Sequence, residues 1–411
     1  MTQSTFDFDR QSPATEAEFA AQWGAKKIHQ IAGQQLILLR NGAEFFPSLL
    51  EAIELAQQSV CLETYIFSDD ISGQRIASAL CAAAQRGVKV QILLDGFGSS
   101  DFPSTRLQDL QRAGVQVLWF RRESERFSLR RKRLRRLHRK LALVDEKIAF
   151  VGGINIQDDS DGTMTRPRLD YAVRVEGAVT TEVLSTMRRL WFVVSWANFR
   201  RRDKPSWPSN FVAETASPVR LLLRDNFRHR REIEHAYLKA IDAAEIEIII
   251  ANAYFLPGRK FRRALQQARL RGVRVILLLQ GRVEYRLQHY ATLALYDDLL
   301  SSDIEIFEYQ RSYLHAKVAV IDRHWATVGS SNIDPFSLWL AREANLEIND
   351  AGFAEALRAD LWREIEQGAR KIEFSIWRRR QWLTHILLMA SYGMVRWLLG
   401  ALGYAHERDD Y

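Results

Sequence analysis

The chain has 411 residues, of which 47% are hydrophobic and 26% charged, a composition that supports a sizeable buried core and excludes a wholly disordered chain. Its net charge is +8, and its two cysteines, Cys61 and Cys81, are too few for a disulfide-stapled secreted scaffold or a cysteine-based zinc site. We therefore expect two or three domains, at about 150 residues each, in a reducing compartment.

The N-terminus, MTQSTFDFDRQSPATEAEFA, carries acidic residues and no apolar core, so it does not have the pattern of a signal peptide. Beyond it, the chain contains an internal repeat. The pieces RGVKVQILLD and RGVRVILLLQ start at Arg86 and Arg271, and each follows a helical pattern that ends at a glycine. Because each piece then becomes a continuous apolar run, we predict βαβ units and a mainly parallel sheet in both halves.

The basic residues are concentrated in one segment. Residues 121–140 contain 11 basic and 2 acidic side chains, a local charge of +9, and the rest of the chain sums to −1. Runs of this kind bind nucleic acid or an anionic membrane surface. A solvated charged face is the alternative interpretation.

Two segments share an ungapped pattern, HRKLALVDEKIAFVGGINIQ and HAKVAVIDRHWATVGSSNID. In each, a histidine is followed by lysine two positions later and aspartate seven positions later, and then by a small pair and an asparagine. The two histidines are 177 positions apart, and so are the two asparagines. The candidate catalytic residues are His138, Lys140, Asp145, His315, Lys317 and Asp322, and the candidate phosphate-binding residues are Asn155 and Asn332.

The segment RRRDKPSWPSN separates the two halves and has the proline and charge content of a linker. We predict an α/β fold with five parts. They are an N-terminal extension (1–30), a first lobe (31–204), a linker (205–218), a second lobe (219–370) and a C-terminal amphipathic, membrane-interacting segment (371–411).

The C-terminal segment has three interpretations. At helical spacing, the polar residues of Trp377–Tyr404 form one narrow stripe on an otherwise apolar surface. Aromatic flanks and three consecutive arginines are typical of a helix at the lipid interface. Packing against the lobes is the second interpretation. A spanning helix is the third, although Arg396 would cost about 2.5–3.5 kcal/mol near the bilayer centre.

The repeated pattern is suited to phosphoryl transfer. Alternate residues of a strand point to the same face, so each histidine projects together with its lysine. A neutral imidazole attacks phosphorus or transfers a proton near neutral pH. Two histidines on opposite sides of a phosphodiester would attack it and protonate the departing alcohol, and two lysines would neutralise its oxygens. We therefore expect neither a metal nor a cofactor.

This arrangement resembles the phospholipase D superfamily, whose signature is HxKxxxxD followed by GGxN or GSxN. The resemblance covers roughly residues 35–350. It implies two tandem phospholipase D-like α/β lobes related by pseudo-twofold symmetry, with the active site at their interface and a phosphohistidine intermediate. By analogy with related bacterial two-motif enzymes, His138 is the nucleophile and His315 the general acid and base.

Four acidic residues each have two possible roles. Asp145 and Asp322 occupy predicted hairpin corners, where they serve either a structural role within the site or direct proton chemistry. Asp170 and Glu343 lie 32 and 28 residues after the histidines of their own motifs. The resemblance supports a role for these two as carboxylates that orient the histidines, and surface acids are the alternative.

Further details, including ETYIF at Glu63–Phe67 and the phrase DYAVRVEG, look like bacterial cardiolipin synthases of the shorter type without N-terminal membrane helices. This resemblance implies transfer of a phosphatidyl group from one phosphatidylglycerol to the hydroxyl of another. It also implies an anionic phospholipid membrane as partner, and a peripheral location on the cytoplasmic side of the bacterial cell membrane. The alternative functions are a phospholipase D-type hydrolase and a nucleic-acid phosphodiesterase; nucleic acid is not the expected partner.

Overall fold

The computed structural model describes residues 27–122, 135–159, 166–197, 217–225, 228–377, 388–394 and 397. Within this part of the chain, helices and strands form two lobes, each built on an eight-stranded sheet. The predicted α/β fold with two tandem lobes is confirmed.

The first lobe has the strand order β1-β2-β8-β7-β6-β3-β4-β5. Its strands are β1 (Ile28–Ile31), β2 (Gln34–Arg40), β3 (Ser59–Thr64), β4 (Lys89–Asp95), β5 (Gln116–Phe120), β6 (Lys140–Val144), β7 (Ile148–Gly152) and β8 (Tyr171–Glu176). Its helices are α1 (Asn41–Leu55), α2 (Ile71–Gln85), α3 (Ser104–Arg112) and α4 (Val179–Ala197).

The second lobe has the strand order β16-β12-β11-β10-β13-β14-β15-β9. Its strands are β9 (Val219–Arg224), β10 (Glu247–Asn252), β11 (Arg274–Gln280), β12 (Glu305–Tyr309), β13 (Lys317–Ile321), β14 (Trp325–Gly329), β15 (Glu343–Asn349) and β16 (Ala369–Lys371). Its helices are α5 (Glu232–Ala243), α6 (Arg259–Leu270), α7 (Arg286–Leu293), α8 (Tyr296–Ser301), α9 (Pro335–Trp339), α10 (Ala351–Gly368) and α11 (Phe374–Trp377).

The sheets are mixed, and the prediction of mainly parallel sheets is wrong. Strands β3, β4 and β5 are parallel, as are β10, β11 and β12, whereas the other pairings are antiparallel. The parallel strands are those that the repeat identified, where helices connect successive strands. The motif strands instead form tight hairpins, which require antiparallel pairing. Gly87 and Gly272 follow α2 and α6 with φ of +91° and +92°, in the left-handed region predicted for them.

The two lobes share one hydrophobic core at their interface. Leu141 and Val173 from the first lobe pack in the same cluster as Val318 and Leu346 from the second. A buried polar network also joins the lobes, as Arg40 pairs with Glu364 at 2.6 Å and the Tyr171 hydroxyl donates to Asp360 at 2.6 Å. The relative placement of the lobes, and hence of anything at their interface, is fixed by both kinds of contact.

Three predicted segments lie partly outside the described residues. The structure places β1 at Ile28–Ile31, so the end of the predicted extension belongs to the first sheet, and residues 1–26 lie outside the described part. Residues 123–134 of the basic run and residues 198–216 around the linker also lie outside it.

The C-terminal segment is described at residues 371–377, 388–394 and 397. The Trp377 side chain is buried in the core of the second lobe, with its ring 4.8 Å from that of Tyr296, and Leu388 is buried in the same cluster. These two residues therefore pack against the lobe. Within the part of the chain that the structure describes, no helix is long and apolar enough to cross a bilayer.

Candidate active site at the lobe interface

The two histidines lie where the lobes exchange backbone hydrogen bonds. The amide of His138 donates to the carbonyl of Arg342 at 3.0 Å, so the segment before β6 pairs with the segment before β15. In the equivalent contact of the second lobe, the amide of His315 donates to the carbonyl of Leu169 at 2.8 Å. Each histidine is thus joined to the chain that immediately precedes a carboxylate of the other lobe.

Each imidazole consequently pairs with an acid from the opposite lobe. His138 Nδ1 lies 3.0 Å from Glu343 Oε1, and His315 Nδ1 lies 2.6 Å from Asp170 Oδ2. Both acids meet histidines, as the resemblance implied, and each one meets the histidine of the opposite lobe. The reason is the backbone pairing across the interface, because Arg342 and Leu169 directly precede the two acids.

The carboxylates determine which nitrogen of each ring carries the proton. A carboxylate accepts hydrogen bonds, so Nδ1 of each neutral imidazole is the donor and Nε2 keeps a lone pair. Burial lowers the pKa of His138, and Glu343 opposes this shift. Burial and then the neighbouring Lys317 lower the pKa of His315. Both rings are therefore neutral at neutral pH, the state in which Nε2 can attack or accept a proton.

The two lysines are the first residues of β6 and β13 and are both buried. Each ammonium donates to the carbonyl of its own motif histidine, Lys140 to His138 at 2.6 Å and Lys317 to His315. Burial lowers the pKa of Lys140 to about 7, with Lys317 adding to the shift and Glu343 opposing it. Burial lowers the pKa of Lys317 to about 8, against Asp170 and Glu343. A bound anion would restore these pKa values towards normal.

These values predict that the site binds tetrahedral anions better in acid. Below their pKa values both lysines are charged, and above them they are neutral, so a sulfate ion gains their attraction only at the lower pH. We expect sulfate to raise the melting temperature more at about pH 6.5 than at about pH 9. The Lys140→Met/Lys317→Met variant is the control, because it lacks both ammonium groups and so lacks their contribution to the rise in melting temperature caused by sulfate. An identical pH dependence in wild type and variant would contradict the prediction.

The small residues of the motifs allow close approach to the acids. A Cβ on Gly153 would lie 2.3 Å from Asp170 Oδ1, so only glycine fits there. At the equivalent position, Ser330 Oγ donates to Glu343 Oε2 at 2.6 Å. Of the two asparagines, Asn155 accepts from the Ile66 amide at 3.3 Å, whereas Asn332 is buried. Phosphate binding by these two asparagines remains a prediction.

The motif aspartates are not brought to the histidines. Asp145 directly follows β6 and is five residues from Lys140, a separation of about 16 Å along an extended chain. Its carboxylate accepts from the amides of Gln57, Gln58 and Ser59, and Asp322 likewise accepts from the amides of residues 245–247. Both aspartates have φ near +50° at a hairpin corner. Their grouping with the catalytic residues is therefore corrected: each one fastens a turn to the start of a parallel strand.

We expect Asp145→Asn and Asp322→Asn each to lower the free energy of unfolding by about 1–3 kcal/mol, because an amide oxygen is a weaker acceptor for three backbone amides. Desolvation acts to raise the pKa of Asp145, but the hydrogen bonds from these amides outweigh it and hold the pKa below its ordinary value. The stability that this carboxylate contributes is therefore lost as the pH falls through the lowered pKa. Urea unfolding measures the change, with Asp109→Asn at an exposed position of α3 as control. Turnover per folded molecule should stay near wild type, and its loss would return the aspartates to the catalytic set.

Two residues missed by the sequence analysis position the histidine segments. Asp95 ends β4, is buried, and accepts from the amide of Leu137 at 2.8 Å, next to His138. Gln280 ends β11 and accepts from the amide of Leu314 at 3.2 Å. These are the last letters of the two matched repeats RGVKVQILLD and RGVRVILLLQ. Their equivalent positions at the ends of the two repeats are the signal by which the sequence could have identified them.

A third missed residue makes the two halves of the site unequal. The ring of Tyr65 lies 4.8 Å from that of His138, and the ammonium of Lys140 lies 5.3 Å from its centroid. The equivalent position in the second lobe is Ala253, because Ser59 and Glu247 occupy matching positions against Asp145 and Asp322. The imidazole of His138 therefore packs against an aromatic ring from a position at which the second lobe has an alanine.

Comparisons with known proteins agree with this geometry. The family described as "Cardiolipin synthase, PLD-like domain" matches residues 49–191 and 237–365. The chain is 36% identical over 382 residues to cardiolipin synthase B of Escherichia coli strain K12 and 37% identical over 382 residues to that of Salmonella typhi, with 90% of each chain covered.

Among solved structures, phosphatidylserine synthase of Haemophilus influenzae superposes with a TM-score of 0.69 at 12% identity, covering 96% of this chain and 100% of that chain. This likeness extends to the whole two-lobed fold. Sequence identity and the match to the family agree with the duplicated motifs at the lobe interface. The chain therefore belongs to the cardiolipin synthase family of phospholipase D-like proteins.

Proposed function

We propose that the protein is a cardiolipin synthase, which transfers a phosphatidyl group from one phosphatidylglycerol to a hydroxyl of another. The observation that carries the proposal is the pair of neutral histidines, each oriented by a carboxylate of the opposite lobe and flanked by a buried lysine. This set contains a nucleophile, a proton carrier and the charge needed to hold one phosphodiester. Kinship with cardiolipin synthase B supports the choice of phospholipid as substrate.

In the first step, Nε2 of His138 attacks the phosphorus of the donor lipid, and the bond from phosphorus to the glycerol oxygen breaks. His315, protonated when the anionic substrate raises its pKa, gives its proton to the departing glycerol. The products are free glycerol and a phosphatidyl group bound to His138. Glu343 stabilises the positive charge that develops on the His138 ring, and the two lysines stabilise the equatorial oxygens.

In the second step, neutral His315 removes the proton from the hydroxyl of an acceptor phosphatidylglycerol. That oxygen attacks phosphorus, the bond from phosphorus to Nε2 breaks, and cardiolipin forms while His138 returns to its neutral state. Water in place of the lipid alcohol would give phosphatidic acid, so exclusion of water decides between transfer and hydrolysis. Tyr65 supports the assignment of His138 as nucleophile, because its ring packs against that imidazole and the second lobe has Ala253 at the equivalent position.

The substrates place the enzyme at an anionic phospholipid membrane, and we propose peripheral binding at the cytoplasmic face of a bacterial cell membrane. The basic run 121–140 supports this location. Its described end contributes Arg136, whose guanidinium lies 4.6 Å from the ring of the half-exposed Phe97. A cation and an exposed aromatic ring side by side are suited to the boundary between headgroups and acyl chains.

The proposed function is tested by lipid analysis of purified enzyme with phosphatidylglycerol vesicles. We expect cardiolipin and free glycerol in equal amounts, and unchanged product formation in a metal chelator, because Lys140 and Lys317 neutralise the phosphodiester. Phosphatidic acid as the sole product would instead make the protein a hydrolase. Cleavage of a DNA or RNA oligonucleotide without any lipid product would support the nucleic-acid phosphodiesterase alternative.

A further inference from the structure

A second concentration of positive charge lies on the outer edge of the second lobe, away from the histidines. It is a groove of about 720 Å³ between β9 and α5, here called the basic groove. Its lysine and arginine side chains are Arg220, Arg228, Arg230, Arg231 and Lys239. Nothing in the catalytic scheme above uses these side chains.

The basic groove is built by a difference between the two lobes. In the first lobe, β2 ends at Arg40 and α1 begins at the next residue. In the second lobe, seven residues, 225–231, separate the end of β9 from the start of α5, and three of them are arginines. Asp225 fastens this connection by accepting from the amides of Arg228 and His229 at 2.9 and 3.1 Å. The first sheet also carries β1 outside β2, whereas β9 is the edge strand of its sheet.

The acids that line the basic groove are already engaged. Glu232 accepts from the ring of His229 at 2.6 Å, and the same hydrogen bond raises the pKa of that histidine. Glu347 accepts from the indole of Trp325 at 2.9 Å and pairs with Arg220 at 3.3 Å. Within the described residues, no carboxylate forms an ion pair with Arg228, Arg230 or Lys239. Five Lys or Arg against two Glu leave the lining with a net charge of +3 when its histidines are neutral.

We propose that the basic groove binds the phosphate of an anionic phospholipid headgroup and so docks the second lobe on the membrane surface. The cavity is larger than a single phosphate ion requires and is within the range that accommodates a small organic ligand. Unpaired guanidinium groups recognise phosphate oxygens in bidentate fashion. The choice of a lipid as the source of the phosphate rests on the proposed function, which places the enzyme on such lipids.

The position of the basic groove makes this docking useful to catalysis. Strand β15 carries Glu343, the partner of His138, at one end and Glu347, in the wall of the groove, four residues later. That spacing corresponds to about 13 Å along the strand. A headgroup held in the groove would therefore keep the membrane surface close to the catalytic histidines without occupying their site.

The test compares two triple variants that remove the same charge. Arg228→Gln/Arg230→Gln/Lys239→Gln empties the basic groove of its unpaired cations, and Arg259→Gln/Lys260→Gln/Arg263→Gln removes three exposed cations from α6. Co-sedimentation with vesicles of phosphatidylglycerol and phosphatidylcholine measures binding at several salt concentrations. We expect the groove variant to bind about tenfold more weakly at low salt and the α6 variant to change by about twofold or less. Equal losses in the two variants would overturn the proposal.

Further measurements identify the ligand of the basic groove. Turnover of a short-chain, water-soluble phosphatidylglycerol should be the same in wild type and groove variant, since the histidines are untouched. A groove-dependent stabilisation by inorganic phosphate, without groove-dependent vesicle binding, would overturn the proposal in favour of a free-phosphate site. Groove-dependent binding of a DNA oligonucleotide alone would overturn it as well. If wild type makes no cardiolipin but the groove variant still loses vesicle binding, the proposed function fails and the docking site stands.

Discussion

Replacing either His138 or His315 by alanine is expected to reduce the formation of cardiolipin by about 10⁴-fold or more. In the proposed mechanism the two rings perform different steps, and the further histidine of the second motif, His324, is exposed in the turn, so neither variant retains a substitute. His138→Ala removes the atom that forms the bond to phosphorus. His315→Ala removes the group that protonates the departing glycerol and later activates the acceptor. Thin-layer separation of lipids from labelled phosphatidylglycerol measures the loss.

The matched control is His324→Ala, an exposed histidine in the turn of the second motif that contacts the carbonyl of Asp322. It should retain normal activity. Mass spectrometry of acid-labile adducts after quenching should find the phosphatidyl group on residue 138 in the wild type. An adduct on residue 315 would reverse the two roles, and substantial turnover by either catalytic variant would contradict the mechanism.

The crossed pairing of acids and histidines predicts which variants a better leaving group will rescue. In phosphatidyl-p-nitrophenol the departing group leaves as an anion, so the first step needs no general acid. We expect His315→Ala and Asp170→Asn to release a normal first equivalent of nitrophenol, because Asp170 serves His315. His138→Ala should release none. Glu343→Gln should be slowed by about 10²–10⁴-fold, as it misorients the nucleophile and leaves its developing charge uncompensated.

The measurement is the amplitude and rate of the single-turnover burst of nitrophenol. The control is natural phosphatidylglycerol, on which all four variants should be defective. The pairing can be judged even if the roles of the histidines are reversed, because each acid variant must then still behave like the histidine of the opposite lobe. If Asp170→Asn behaved like His138→Ala, the crossed arrangement would be refuted.

Much of the molecule was predictable because its signals are local. The repeat pieces at Arg86 and Arg271 identified the parallel strands and the glycines that end the helices before them. The spacing of His138 from Lys140 placed both side chains on one face of a strand, since strands alternate with a period of two. The same spacing in both halves identified the candidate catalytic groups and the two-lobed fold without any knowledge of long-range contacts.

The sequence by itself thus determined the number of lobes, the parallel core of each sheet and the identity of the histidines and lysines. Only the tertiary structure decided the rest. His138 and Glu343 are 205 positions apart, and they meet because the lobes pack through a shared core and exchange backbone hydrogen bonds. Asp145 belongs to the motif by sequence, yet the length of β6 carries it to the far end of the strand. Spacing along the sequence predicts which face of a strand a side chain occupies. The pairing of two lobes depends instead on how their surfaces pack.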